Sequence, residues 1–348
     1  MPDFDETEES IQGIQEFIKL EEKNKRALGV REDATFHINE TKIGKILKMF
    51  LENSDLQAEL SLDELNYGNH AVEVAESFDS LFDDTYLSYR YKDENLIVSL
   101  VSTNLSKQFK DIVDKNKAIV LMSGTIHSEE VLRNVFGLED FAIVKAEIKL
   151  PGQVEIIRTG KEFDCKYANF NSGKHTREDY LFALESCIEK AKKPILIHVN
   201  AFEDLPSESE MDKLGLAGVM HRERLSELQA DDKTGRMVSL FKKKLNECLF
   251  STKCSRGVDF PGDICNSIIF TKYPNPNVKD IFWRVLEKTH PDIFWGFYKD
   301  KARREFLQRL YRAVRSKDDH VYVLSPDIRV LEAVRGLQIK NNNINLDQ

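Results

Sequence analysis

Cysteine is scarce in this sequence, and none of it is paired. Five residues (Cys165, Cys187, Cys248, Cys254 and Cys265) make an odd count with no CxxC spacing. That pattern argues against a disulfide framework and supplies no close ligand pair for zinc or an iron–sulfur cluster, so free thiols in a reducing compartment are expected. Long apolar runs are missing as well: no stretch approaches the ~18 residues that cross a bilayer, which excludes a transmembrane helix and a membrane partner. The first ten residues, MPDFDETEES, are acidic and have no apolar stretch behind them, whereas a secretory leader needs a basic start and an apolar core. The chain therefore reads as intracellular. Net positive charge is lacking too. The total of −9 argues weakly against nucleic acid, but where the charge sits matters more than its sum.

What is present is enough for about two domains: 348 residues with 41% hydrophobic side chains, at ~150 residues per domain. Charge is polarised along them. Residues 51–90 hold ten acidic side chains against Arg90 alone, whereas 299–317 (KDKARREFLQRLYRAVRSK) hold eight basic and two acidic ones. A basic stretch of this kind suits a polyanion, either nucleic-acid backbone or nucleotide phosphates, and it also suits a solvated helix face.

Up to about residue 110 the pattern is mixed. Ile43, Ile46, Leu47, Phe50 and Leu51 recur at helical spacing, residues 95–101 read as a strand and 104–115 as a helix. The acidic segment between them reads either as helix or as a solvated insertion. From 118 onward, short apolar runs at 118–122 (AIVLM), 194–199, 247–252, 266–271 and 320–324 alternate with helical stretches at 128–136, 177–192, 235–246, 279–289 and 299–316. Strands alternating with helices predict an α/β fold with a parallel sheet covered on both faces. The polar tail, residues 339–348, is expected to fray.

In such sheets function collects at the carboxyl ends of the strands, and three motifs fall there. Ser123-Gly124-Thr125 follows AIVLM and reads as a small-residue turn that permits close approach. Ser255-Arg256-Gly257-Val258-Asp259-Phe260 follows the strand at 247–252. Asp259 stands between two apolar residues and needs a partner, because an unpaired buried charge is expensive; a helix-capping role is the plainer alternative. The third motif, Phe306 to Arg315, lies on an expected helix. At about 100° per residue, Phe306, Leu310, Ala313 and Val314 share one side, and Gln308, Arg312 and Arg315 share the other. Guanidinium forks match phosphate oxygens, and a solvent-facing arginine row is the plain alternative.

Taken in order, SGT, SRGVDF and QRLYRAVR resemble the motif set of the XPD/DinG branch of superfamily 2 helicases, and HVYVLSPDIRV resembles that family's following strand. The likeness spans roughly 90–338. It implies a RecA-like parallel sheet at 118–338, preceded over 1–117 by a smaller mixed region left from the first motor domain and its arch-like insertion. It also implies the C-terminal motor half of an ATP-dependent DNA helicase. Arg312, Arg315 and Gln308 would act at the γ-phosphate, with Gly257 and Asp259 beside the nucleotide. Ser123, Gly124, Thr125, Ser255 and Arg256 would couple it to single-stranded or forked DNA. Tyr311 departs from the family, which usually has glycine there. The larger departure is that no GxxxxGK[ST] and no DEAH occur. Gly44-Lys45-Ile46 and Gly173-Lys174-His175 lack the hydroxyl and the earlier glycine, and neither Asp63-Glu64 nor Asp93-Glu94 follows an apolar strand. Without the loop's lysine and hydroxyl there is no β-phosphate cradle and no Mg²⁺ ligand. ATP with Mg²⁺ would then need a polypeptide carrying the N-terminal motor domain, and the family's iron–sulfur cysteines would belong to that part. That motor domain would come from a separate gene, or from the rest of a longer gene product of which this chain is a fragment; the third reading is a non-catalytic nucleic-acid-binding or regulatory protein that kept the fold.

Overall fold

The polar face of every strand and helix has to be matched by an apolar one, and the burial of alternate residues shows how this chain does it. A computed structural model describes residues 29, 31, 34–60, 67–92, 95–123, 125–144, 152–252 and 257–344. It divides into two units: Met1–Leu121 with Ser128–Asp140 and Asn277–Tyr298, and Met122–His127 with Phe141–Pro276 and Lys299–Gln348.

The first unit holds a three-stranded antiparallel sheet, β1 (Phe36–His37), β2 (Thr85–Lys92) and β3 (Asn95–Ser102), in the order β1-β2-β3. The helix Ile43–Glu52 lays Ile43, Ile46, Leu47 and Phe50 into a core with Leu56, Leu60, Ala75 and Leu87, which is the one-sided spacing of the sequence turned inward. The acidic stretch is built rather than a solvated insertion: it supplies the helices Ser54–Leu60 and Tyr67–Phe78 and runs on into β2. Asp63 and Glu64, like Asp93 and Glu94, lie outside the described residues. The expected helix at 104–115 forms as Leu105–Asp114, with the Asn104 side chain accepting from the Lys107 N–H at 3.0 Å. A second, aromatic cluster joins Val131 and Val135 to Trp283, Phe294, Phe297 and Tyr298.

The second unit is a five-stranded parallel sheet: β4 (Gln153–Ile156), β5 (Ile195–His198), β6 (Cys248–Ser251), β7 (Ser267–Phe270) and β8 (His320–Leu324), ordered β4-β8-β7-β5-β6. Side chains alternate across its two faces. Leu196, Leu249, Ile268, Phe270, Val321 and Val323 pack with Phe241, Phe306, Leu310 and Leu331. Ile195, Ile197, Ile269 and Leu324 pack with Leu184, Cys187 and Leu225 from other helices. Helices thus cover both faces, and each fully buried aliphatic or aromatic side chain contributes about 1.5–3 kcal/mol.

Four sequence expectations are corrected. Residues 118–122 form no strand: they belong to neither sheet, and Val120 and Met122 are 80% and 89% exposed. A strand needs a neighbour for its backbone groups, and none is available to this run among the described residues. The fifth strand is instead β4, which pairs only with β8 at the sheet edge. The basic helix spans Pro291–Leu310, so it starts earlier than expected and stops before Arg312 and Arg315. The last helix, Ile328–Ile344, continues through the first residues of the expected frayed tail; residues 345–348 lie outside the described ones.

Candidate functional site

Asp259 finds the partners its apolar neighbours demanded. The backbone leaves the region after β6 through Gly257, at φ +73°, a conformation that costs a side-chain-bearing residue about 1 kcal/mol or more. Two residues on, Phe260 is fully buried, edge-on to Phe241 at 5.4 Å. Anchored this way, the chain holds the Asp259 carboxylate at the surface. One of its oxygens accepts from Arg312 Nη1 at 3.0 Å and also from Arg315 Nη2. Arg312 is 14% exposed, while Arg315 and Asp259 are nearly half exposed. Partial desolvation works to raise the Asp259 pKa, but the two guanidinium groups outweigh it and hold the carboxyl below the usual carboxylate range. Asp259 does not cap a helix: the short helical turn Gly262–Ile264 begins after Pro261.

The end of the basic helix is shaped by the same contact. Its last α-type bond runs from Tyr311 N–H to Leu307 C=O at 2.9 Å; Arg312 and Ala313 then bond three residues back at 3.3 Å, the tighter geometry that ends many helices. The Arg312 carbonyl is freed to accept from the Phe260 N–H at 2.7 Å. The second and third motifs are therefore joined by backbone as well as by side chain. Tyr311 is half-buried, and burial raises its phenol pKa.

Asp319, which carries no motif signal, secures this turn. Its buried carboxylate accepts from the N–H groups of Arg315 (2.6 Å), Ser316 (2.7 Å) and Gly262 (2.7 Å). Desolvation pushes its pKa up, and these donors more than reverse the effect, leaving it lowered.

The first motif meets the same helix further back. Gln308 Nε2 donates to Thr125 Oγ1 at 2.9 Å, and Arg304 Nε to the Thr125 carbonyl at 2.9 Å. Ser123 Oγ closes the turn, accepting from the Thr125 N–H at 3.2 Å. His127 continues the network to Asp300 at 2.5 Å and touches Arg304. Arg304, His127 and Asp300 were not singled out by sequence: each is a lone polar residue in a stretch read for its apolar period. Gln308 lies on the helix, Arg312 and Arg315 on the turn that follows it, and Thr125, Gly257 and Asp259 on the two loops tied to them. Gly124, Ser255 and Arg256, and with them Cys254, lie outside the described residues.

At the carboxyl end of β5, His198 is fully buried and its Nε2 lacks a partner, as does Nη1 of Arg309. Burial first, and the Arg309 charge second, hold this imidazole neutral, with its pKa well below the ordinary value. Among the described residues no group of three or more His, Cys, Asp or Glu side chains is placed to hold a metal ion, and no helix is long and apolar enough to cross a membrane.

With this geometry in hand, residues 184–342 match the family model of the helicase C-terminal domain. No curated protein sequence matches the chain. A solved structure described as an XPD helicase superposes at TM-score 0.53 with 16% identity, covering 85% of this chain and 54% of its own. Xpd4 of S. tokodaii superposes at TM-score 0.52 with 18% identity, covering 84% and 56%. The chain spans about half the length of these solved structures. The RecA-like sheet with its smaller preceding region is therefore the fold of XPD helicases, and the match to the helicase C-terminal domain lies within the second unit and its flanks, over a little under half of the chain.

Proposed function

We propose that the helicase C-terminal domain at 184–342 serves as the second motor half of an ATP-dependent DNA helicase, and that the ATP site is completed by a polypeptide bearing the phosphate-binding loop and DEAH motif. The observation that carries this reading is the convergence of Arg312 and Arg315 on Asp259 of the SRGVDF loop. Two guanidinium groups held side by side in the turn that leads into β8 are matched to a terminal phosphoryl group. Stabilising the charge that develops there is the task for which arginine is suited, since it stays protonated and needs no reorganisation.

Two further features support the reading. Gln308 and Arg304 hold Thr125 on the helix that leads to the arginine pair, so a displacement at that turn would reach the phosphate-facing residues. The uncovered run Ala118–Met122 leads directly into Ser123; paired to the edge of a sheet in the partner polypeptide, it would gain both backbone partners and burial. Mg²⁺ would be held by that half together with the ATP phosphates. No step is assigned to it in this chain. Single-stranded or forked DNA would run past the loop that contains Ser255 and Arg256.

The test is to mix this chain with a polypeptide that carries GxxxxGK[ST] and DEAH and to measure DNA-stimulated ATP hydrolysis. The mixture should hydrolyse ATP while either part alone does not. Arg312→Ala and Arg315→Ala should each lower turnover by about 10³-fold with little change in association of the two parts. Activity that is absent from the mixture, or indifferent to both substitutions, would refute the motor reading.

A further inference from the structure

The arginine pair is already occupied. A single oxygen of Asp259 takes a hydrogen bond from Arg312 and another from Arg315, so the two donors that would meet a phosphoryl oxygen are satisfied from within the chain. The three side chains together carry a net charge of +1 rather than +2. Any anion arriving at this surface must either accept that weakened field or displace the carboxylate.

The backbone keeps Asp259 in place to compete. Val258 and Phe260 flank it, Phe260 is fully buried, and the Phe260 N–H is held by the Arg312 carbonyl at 2.7 Å. The carboxylate cannot drift off with a loop. It can only turn about its own side-chain bonds into solvent, to which it is already 46% exposed, and exposed rotamer changes are fast. Exchange between carboxylate and phosphate is therefore a local event with a fixed cost: two charge-assisted hydrogen bonds broken for each set formed.

We propose that Asp259 is a specificity-determining residue, an internal stand-in for phosphate that weak or singly charged anions fail to displace and that only a doubly charged terminal phosphate removes. This rests on the reading of Arg312 and Arg315 as the phosphate-facing pair. A terminal phosphate carries about −1.5 to −2 at neutral pH against −1 for the carboxylate, and it has three acceptor oxygens. It can bind both forks without sharing one atom between them. Singly charged background anions such as chloride, and the buffer's carboxylates, gain too little to do so.

A purely positioning role for Asp259 predicts the opposite sign. If the carboxylate only orders the guanidinium groups, its removal lets them wander and weakens every anion. If it competes, its removal strengthens every anion that had to displace it, and by a similar factor.

The experiment uses the full chain at low ionic strength, with acetate, inorganic pyrophosphate and inorganic tripolyphosphate as probes, titrated by calorimetry and by the NMR signals of the arginine side chains. Asp259→Asn and Asp259→Ala should bind pyrophosphate about tenfold more tightly than the native chain, as expected for removing an intramolecular charge-assisted competitor. Tripolyphosphate should gain by a similar factor, and acetate should begin to bind at concentrations that leave the native ion pair intact. Unchanged or weaker binding in both variants, with melting temperatures near native, overturns the proposal. Should either variant fold poorly, the native chain still decides: the carboxyl-carbon signal of Asp259 should shift toward that of a free aspartate as tripolyphosphate is added, and a stationary signal at saturation overturns it. Arg312→Ala and Arg315→Ala separate the two layers. If they bind like the native chain, the pair is not the phosphate site and the motor reading fails with the proposal. If they lose binding while the Asp259 variants gain nothing, only the competition fails.

Discussion

Replacing Asp319 with alanine should cost the second unit about 3 kcal/mol. The carboxylate is buried and accepts from three backbone N–H groups at 2.6–2.7 Å, two in the turn that carries Arg315 and one at Gly262 just after the Asp259 loop. A hydrogen bond to a charged group is worth about 1.5–3 kcal/mol, and donors left without a partner add a desolvation penalty. Three such bonds do not sum fully, because water reaches the half-exposed turn once the carboxylate is gone. Asp319→Asn should fall between, since one amide oxygen replaces two acceptors. Gly152→Ala attacks the same turn from the other side: a Cβ there would stand 2.3 Å from the Asp319 carbonyl oxygen and 2.7 Å from that of Ser316, so backbone must shift. The choice of probe matters. Both tryptophans, Trp283 and Trp295, lie in the first unit, so their fluorescence would miss the change. Hydrogen exchange over residues 257–275 and 311–325 during urea denaturation reads the right unit. Sign and pH follow from the lowered Asp319 pKa. Its contribution is complete above the ordinary carboxylate value near 3.8 and is lost as pH falls through the still lower folded value. The gap between native and variant should therefore be constant from pH 5 to 8 and close below about pH 4. A loss under about 1 kcal/mol, or unchanged exchange at Arg315 and Ser316, would refute the account of this turn.

Three other expectations are independent of it. His198 is buried and neutral, so the unfolded chain takes up its proton first as pH drops below about 6.5, and stability should fall by up to about 1.4 kcal/mol per pH unit from there; His198→Leu should flatten that part of the melting-temperature profile, and parallel profiles would count against it. Thr125→Val and Gln308→Ala each remove one half-buried hydrogen bond of 2.9 Å and should cost about 1 kcal/mol, with a coupling of at least about 0.5 kcal/mol in the double variant; additive losses would mean that the contact does not form in solution. Val120→Asp and Met122→Asp should leave the isolated chain's stability within about 0.5 kcal/mol yet weaken its association with a polypeptide bearing the phosphate-binding loop, as measured by sedimentation; unaltered association would remove this run from the proposed contact.

The parallel sheet was legible in the sequence because strands buried on both faces read as continuous apolar runs: ILIH, SIIF and HVYVL stand out from charged helices without any structural knowledge. β4 did not stand out because QVEI is half polar, as suits an edge strand that packs one side chain inward. AIVLM misled for the complementary reason. It has strand composition, but composition does not say whether a neighbour is present. The ion pair at Asp259 was foreseeable from energetics alone, since a carboxylate between Val258 and Phe260 needed cations and the arginines were the cations in reach. Their exit from the helix was not, because the bond that ends the helix, Phe260 N–H to Arg312 C=O, is tertiary. Asp319, His127 and Asp300 act through backbone and network contacts that leave no periodic trace.

The bare segment Ala118–Met122 has a consequence for the protein in a test tube. Five consecutive aliphatic or sulfur-containing residues without a charge or a proline, open to solvent over most of their surface, are a template for strand-to-strand stacking between copies. Kept alone at high concentration, this chain should cloud with time, and it should do so faster in sulfate, which strengthens apolar association. A mate that sheathes the segment would act as its solubiliser before it acted as anything else.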